Sequence, residues 1–243
     1  MKKMLAYFKS KRYDTLAGVL SFFFVLSFIP LLYLCLSLYI KLGSYLNIET
    51  PIPEVIKDYV TFDLNAGVSV LFLITTIYSA SKFFTELKKT GEIIYGIKKS
   101  NVTIKSQVIS CIFVIFLILI VAFSLLAIAI GNTFLKYSWS KILTNILTYL
   151  ILILMTFGFL CLVNKTACCT KKKLNDLKVG IIFSLIYIVI FSFLFGFYVA
   201  NFANYNELYG VFSTVIIALL YVYLMMQGIV IGIIFNEKYS KEN

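Results

Sequence analysis

Residues 179–200 read VGIIFSLIYIVIFSFLFGFYVA, an apolar run that contains no Asp, Glu, Lys or Arg. A helix needs about 20 predominantly apolar residues to cross the hydrocarbon core of a bilayer, and this run is long enough. A transmembrane β-strand would be shorter and would alternate apolar with polar residues. Because irregular backbone cannot face lipid, the pattern predicts a transmembrane helix.

Five other segments have the same character. In chain order, the six predicted spans are residues 16–40, 62–81, 107–130, 142–163, 179–200 and 211–235. The second is the most polar, because it includes Asn65, Thr75, Thr76 and Ser79. The sequence therefore predicts an all-α fold, a polytopic bundle of six transmembrane helices that forms a single integral membrane domain over residues 1–243.

The composition supports a membrane protein and argues against a nucleic-acid-binding one. Hydrophobic residues make up 61% of the chain and charged residues 14%, whereas soluble domains carry about 25% charged residues. The formal net charge is +11, but the basic residues lie between the apolar runs instead of forming one basic face. The expected partners are membrane lipids, anionic ones at the cytoplasmic face, and no nucleic acid.

The distribution of basic residues predicts the orientation. They cluster in the N-terminal segment, after the second and fourth spans and at the C-terminus. Of the 22 Lys and Arg residues, only Lys41, Lys57, Lys136 and Lys141 fall on the opposite side. Since basic loops stay in the cytoplasm, both termini are predicted to be cytoplasmic. This alternation requires the second span to cross the membrane, whatever its polarity.

Two basic amphipathic segments, residues 1–13 and 82–99, are predicted to be cytoplasmic helices. Their apolar stripes consist of Met4, Leu5 and Phe8 in the first and of Phe83, Leu87, Ile94 and Ile97 in the second. Helices of this kind rest on anionic headgroups. The alternative is that they are connectors that merely obey the orientation rule.

Residues that could carry out catalysis are scarce. The chain has no His, which excludes His-based acid–base and metal chemistry. The five Cys residues have neither paired spacing nor a His partner, no buried carboxylate pair is visible, and no Walker-type phosphate loop occurs. We therefore expect no catalytic residue, no metal site, no cofactor and no ATP hydrolysis, and the chain is predicted not to be an enzyme.

The outer connection between the fifth and sixth spans is the most distinctive polar stretch. It contains Asn201, Asn204, Tyr205, Asn206 and Tyr209. Carboxamides and phenols offer many hydrogen-bond donors and acceptors, which suit a sugar, a lipid headgroup or a glycerol-type ligand. The alternative is a turn, because Asn favours turns and Gly210 permits a tight one.

Three polar side chains within the spans are further candidates for ligand binding. Thr75 and Ser79 are four residues apart and share a helix face. They could line a polar pathway or join helices by hydrogen bonds. Gln227 should face protein or water because of its depth.

Other residues point to helix shape and packing. Pro30 predicts a kink in the first span, with Ser27 as a local partner for the freed carbonyl. The kink could open a cavity or only shape the packing. Gly228 and Gly232 form a motif for close helix packing.

Three regions resemble the YihY/BrkB family of bacterial inner-membrane proteins. They are residues 16–34 (LAGVLSFFFVLSFIPLLYL), 77–95 (IYSASKFFTELKKTGEIIY) and 197–223 (FYVANFANYNELYGVFSTVIIALLYVY). The resemblance implies about six helices in the bacterial cytoplasmic membrane. Some members are linked to serum resistance and some to envelope lipid export. Members have also been labelled ribonuclease BN, but this sequence has no metal-ligand cluster for a nuclease.

Together these features predict a transporter or flippase for an envelope lipid or a small polar solute, without ATP hydrolysis. The alternative is a non-transporting scaffold that binds envelope assembly proteins through basic cytoplasmic loops such as Lys171–Lys173. The oligomeric state, the substrate and the energy source stay open.

Overall fold

The computed structural model describes residues 7–45, 66–97, 141–168, 173–202 and 211–242. Within these ranges all regular structure is helical, so the predicted all-α class is confirmed there. The helices are α1 (Tyr13–Tyr45), α2 (Ala66–Tyr95), α3 (Lys141–Ala167), α4 (Lys178–Phe202) and α5 (Val211–Glu242), with a 3-10 helix at Leu174–Leu177 before α4. Residues 7–10 are also helical.

Three stretches of the described chain are long and apolar enough to cross a membrane. They are Val70–Tyr95, Leu174–Val199 and Val215–Tyr239, and apolar segments also cover Tyr13–Phe28 of α1 and Leu152–Ala167 of α3. These helices identify a multi-pass membrane protein. The third predicted span, residues 107–130, lies outside the described residues.

The structure corrects the predicted surface helix at residues 82–99. No separate helix begins there, because α2 continues without interruption to Tyr95. Its apolar stripe does not face headgroups: Phe83, Leu87 and Ile94 are buried within the protein. The helix ends at Gly96, which has a φ of 67°, and the Ile97 amide donates to the Glu92 carbonyl at 3.1 Å, as in a Schellman motif.

The chain divides into two compact units. The first comprises Met1–Val25, Phe83–Asn101 and Thr156–Asn243, and the second comprises Leu26–Lys82 and Val102–Met155. The single domain over residues 1–243 stays a prediction. The core of the first unit is apolar and includes Leu20, Leu87, Leu160, Leu177, Val230 and Ile233.

Glycines allow α4 and α5 to pack closely within the first unit. A Cβ at Gly180 would collide with the Gly232 carbonyl oxygen and the Asn236 side chain, and one at Gly232 would collide with Ser184. A Cβ at Gly228 would overlap the Tyr187 ring. Since small residues let helix backbones approach each other, these positions fix the pairing of the start of α4 with the end of α5.

In the second unit, two Thr hydroxyl groups of α2 donate hydrogen bonds to carbonyl oxygens one turn earlier in the same helix. Thr75 donates to the Leu71 carbonyl at 2.8 Å and Thr76 to the Phe72 carbonyl at 2.7 Å. Back-bonding of this kind lowers the cost of a hydroxyl within an apolar helix.

Ser27 is buried, as is Pro30, which lies inside α1 without ending it.

Candidate functional site

Two polar pairs involve side chains of the membrane-length part of α5. The Gln227 Nε2 donates to the Tyr223 hydroxyl at 2.9 Å, and the Tyr221 hydroxyl lies 2.9 Å from Ser192 Oγ on α4. A Cβ at Gly18 would lie 3.9 Å from the Tyr223 ring, so Tyr223 is next to α1. Polar groups at this depth avoid lipid, and the two Tyr side chains of α5 lie beside α4 and α1, respectively.

An aromatic row follows one face of α4 at a spacing of four residues. It consists of Phe183, Tyr187, Phe191 and Phe195. The Tyr187 and Phe191 rings are nearly parallel, with centroids 5.7 Å apart and an interplanar angle of 4°. Phe195 also packs against Tyr221 at 5.2 Å. The row therefore lines one face of α4, and Phe195 at its end contacts α5.

A buried amide network connects α3, α4 and α5. The Asn236 Oδ1 accepts a hydrogen bond from the Gly180 amide at 2.6 Å, and its Nδ2 donates to Asn164 Oδ1 at 2.8 Å. Asn164 in turn donates to the Leu160 carbonyl at 2.9 Å. Both Asn side chains are only 1% exposed. Such fully paired polar groups favour one arrangement of the helices, because the unpaired alternatives are costly.

A buried carboxylate anchors the N-terminal segment to the end of α5. Glu237 is 1% exposed, accepts a hydrogen bond from the Tyr7 hydroxyl and forms an ion pair with Lys11 at 3.4 Å. The Lys11 ammonium also donates to the Ile94 carbonyl near the end of α2. Burial, the hydrogen bond to Glu237 and the carboxylate charge raise the pKa of Tyr7 to about 12.

For the described part of the segment at residues 1–13, this arrangement corrects the prediction that the apolar stripe, here Phe8, rests on headgroups. The described part, residues 7–13, packs on protein instead: the Phe8 ring contacts Phe235 at 5.5 Å and Tyr13 at 6.5 Å. Arg12 adopts a φ of 53° and so ends the helical turn before α1 begins. Met4 and Leu5 lie outside the described residues.

The residues predicted to bind a ligand are placed only in part. Asn201 is exposed and its Nδ2 donates to the Phe197 carbonyl of its own helix at 2.8 Å. Asn204, Tyr205, Asn206, Tyr209 and Gly210 lie outside the described residues. Ser79 is buried, and its hydroxyl has no hydrogen-bond partner in the described structure.

Sequence reasoning missed Asn164, Asn236 and Glu237. Each lies near the end of an apolar span, where a polar residue reads as an ordinary membrane boundary. A weak signal existed for one of them, because Asn236 follows Gly228 and Gly232 at the same spacing of four residues. As for metals, no group of three or more Cys, Asp or Glu that could hold an ion occurs in the part of the chain that the structure describes.

In chemical terms, the described geometry can hold helices together and offer hydrogen bonds to a polar group. The buried carboxylate is already engaged by Tyr7 and Lys11. The pair Tyr223–Gln227 is only partly buried, so its donors and acceptors can be reached by a third group. Nucleophile, base and oxyanion donors are not brought together by the residues described.

Comparison with known proteins gives one family and one curated relative. The family described as "Virulence factor BrkB" matches residues 4–243. The chain is similar to the "Putative ribonuclease-like protein YfkH" of Bacillus subtilis (strain 168), with 22% identity over 261 residues, covering 96% of this chain and 92% of the relative. No solved structure matches the chain. Since the family match covers nearly the whole length, this protein belongs to the Virulence factor BrkB family.

Proposed function

We propose that this protein is a six-helix protein of the bacterial cytoplasmic membrane, with both termini in the cytoplasm, that moves an envelope lipid or a small polar solute across the bilayer without hydrolysing ATP. The observation that supports it most directly is the Tyr223–Gln227 pair, joined at 2.9 Å inside a membrane-length helix.

The physical argument rests on the cost of polar groups at membrane depth. A carboxamide and a phenol in the hydrocarbon region are unfavourable unless they are paired or hydrated. Here they are paired with each other yet not fully buried. A polar headgroup or solute could therefore exchange with that hydrogen bond during its passage, at a small net cost.

Reconstituted vesicles provide the test. The purified chain should accelerate the exchange of headgroup-labelled lipid, or the uptake of a candidate polar solute, relative to empty vesicles. Replacing Gln227 by Leu should reduce that rate at least several-fold. Thr166→Val is the matched control, because its hydroxyl only bonds back to the Leu162 carbonyl of its own helix. If the chain moves neither lipid nor solute, the proposal fails.

A scaffold for envelope assembly proteins is the second candidate. It is favoured by the closed Asn164–Asn236 network and the glycine contacts of α4 and α5, which suit a rigid, permanently packed bundle. Under this proposal Lys171–Lys173 bind acidic partners, and changing them to Glu abolishes copurification while membrane insertion persists. Unchanged copurification would count against the scaffold.

We do not propose an enzymatic function. The word "ribonuclease" in the name of the Bacillus relative is not transferred to this chain, whose sequence contains no His. Incubation of the purified protein with RNA, with and without added divalent cations, would overturn this view if cleavage depended on the protein.

A further inference from the structure

Two surface grooves lie next to each other on the pair formed by α4 and α5. The α4 groove has a volume of about 320 Å³ and is lined by Phe183, Ile186, Tyr187, Ile190, Phe191 and Leu194. The Lys238 groove has a volume of about 190 Å³ and is lined by Val179, Phe235, Lys238 and Tyr239. The rings of Phe183 and Phe235, one from each groove, lie 4.7 Å apart, so the two grooves are adjacent.

The α4 groove is built for an acyl chain. Its lining is aliphatic and aromatic, and Ile190 is 55% exposed within it. From Phe183 to Leu194 the groove runs for about 16 Å at about 1.5 Å per residue. This length is close to half of the roughly 30 Å hydrocarbon core. The groove therefore matches the chain region of a single leaflet.

The Lys238 groove places positive charge at the end of the apolar path. Lys238 and Tyr239 occupy the last turn of the membrane-length part of α5, and both are exposed. Exposed Lys178 precedes Val179 of the groove, and exposed Lys9 follows Phe8, whose ring packs on Phe235.

Two of the acidic residues near this end of α5 already have partners. Glu237 is buried and already pairs with Lys11. Asp176 accepts a hydrogen bond from the Lys173 amide at 3.0 Å, within the 3-10 turn. The exposed ammonium of Lys238 and the phenol of Tyr239 are hydrogen-bond donors that can bind a phosphate.

We propose that these adjacent grooves form a binding site for an anionic phospholipid, with one acyl chain along α4 and the phosphate at Lys238 and Tyr239. The charge complementarity and the length of one leaflet favour this occupant over a peptide or a free anion. The site requires only that α4 and α5 span the membrane. It does not require the protein to transport lipid, so the two proposals can fail separately.

The test uses the full-length protein in nanodiscs that contain a phosphatidylglycerol with a photoactivatable acyl chain. Cross-links mapped by mass spectrometry should concentrate on residues 183–194. Unlabelled phosphatidylglycerol should compete for labelling, whereas phosphatidylcholine and soluble glycerol phosphate should not. Equal competition by the zwitterionic lipid or by the soluble phosphate would overturn the proposal.

Two pairs of variants separate the headgroup from the chain contacts. Lys238→Gln should weaken competition by phosphatidylglycerol about fivefold, as expected for one Lys at an anionic surface. Lys165→Gln, an exposed Lys of α3 that lines neither groove, should leave it unchanged. Ile190→Trp should fill the α4 groove and suppress labelling, whereas Ile182→Trp, at a position that is 50% exposed on the same helix but outside the groove, should not.

Each outcome has a clear consequence. Labelling spread evenly over the exposed faces of α4 and α5, or equal effects of the two Trp variants, would show only bulk lipid around the protein and would refute the site. Fluorescence-detected size exclusion and thermal melting of each variant confirm folding. If Ile190→Trp does not fold, Ile186→Trp, which fills the same groove, takes its place.

Discussion

Asn236 joins three helices through one side chain. Its two polar atoms bind the Gly180 amide of α4 and Asn164 of α3. Replacing it by Leu keeps a similar volume but leaves two buried groups unpaired. We expect Asn236→Leu to lower the free energy of unfolding by about 1–3 kcal/mol, the cost of unsatisfied buried polar groups. Chemical denaturation in mixed micelles measures this change.

The matched control for Asn236 is Asn201→Leu. Asn201 is exposed, and its Nδ2 donates a hydrogen bond to the Phe197 carbonyl of its own helix. Its replacement should change stability by no more than about 0.5 kcal/mol. Equal losses for the two variants would mean that the network connecting α3, α4 and α5 does not contribute to stability.

The titration of Tyr7 is expected to make the free energy of unfolding depend on pH in the alkaline range. Its pKa is raised to about 12, first by burial and then by the hydrogen bond to Glu237 and the carboxylate charge. In the unfolded chain the pKa of Tyr is about 10. The neutral phenol therefore stabilises the fold below pH 10, and this contribution is lost as the pH rises from 10 to 12.

Comparison with Tyr7→Phe isolates this effect from the titration of the Lys residues. The wild-type protein should be more stable than the variant at pH 8, and the difference in unfolding free energy should shrink between pH 10 and 12. A difference that stays constant over this range would show that Tyr7 does not donate to Glu237 in solution.

The contact between α4 and α5 can be tested with two glycines of one helix. A Cβ at Gly180 would meet the backbone carbonyl of Gly232, whereas a Cβ at Gly196 would meet nothing within 4 Å. We expect Gly180→Ala to destabilise the protein by about 1–3 kcal/mol through overpacking. Gly196→Ala should be neutral or stabilising by up to about 1 kcal/mol, because Ala favours helix more than Gly does.

Thermal unfolding in the same detergent compares the two variants directly. A loss of stability in Gly196→Ala as large as that in Gly180→Ala would mean that the close approach of α4 and α5 is not what makes Gly180 necessary.

At the level of helices, periodicity predicted which residues share a face but not what covers that face. The stripe of Phe83, Leu87 and Ile94 was correctly identified as apolar, yet the structure buries it in protein. An apolar face among Lys residues looks the same whether headgroups or another helix cover it. The surrounding charges do not distinguish the two cases, since Lys89 can pair with Glu86 on its own helix.

For the molecule as a whole, the all-helical class and the apolar spans followed from composition and run length, which are local properties. The polar networks did not, because their members are far apart in sequence. Asn164 and Asn236 are separated by 72 residues, and Tyr7 and Glu237 by 230. A single sequence records that a polar residue ends a span, but not which distant residue satisfies it.

The six-span topology is a prediction about the complete chain, and accessibility to a membrane-impermeant maleimide tests it. In a background that lacks the five native Cys residues, a single Cys replaces one Lys in each terminus and in each predicted loop that contains a Lys. The positions are Lys57 and Lys136 for the outer side and Lys3, Lys98, Lys172 and Lys241 for the cytoplasmic side. In intact cells only the first two should react, because basic loops are retained in the cytoplasm.

Lys98 is the most informative position, because it reports on the most polar of the six predicted spans. If residues 62–81 failed to cross, the loop containing Lys98 would lie on the outer side together with Lys57, and the impermeant reagent would label it in intact cells. Protection of Lys98 until the membrane is permeabilised, with Lys57 labelled throughout, requires a crossing between them. Labelling of Lys98 from outside would refute the six-span arrangement and, with it, the cytoplasmic position assigned to the basic loops.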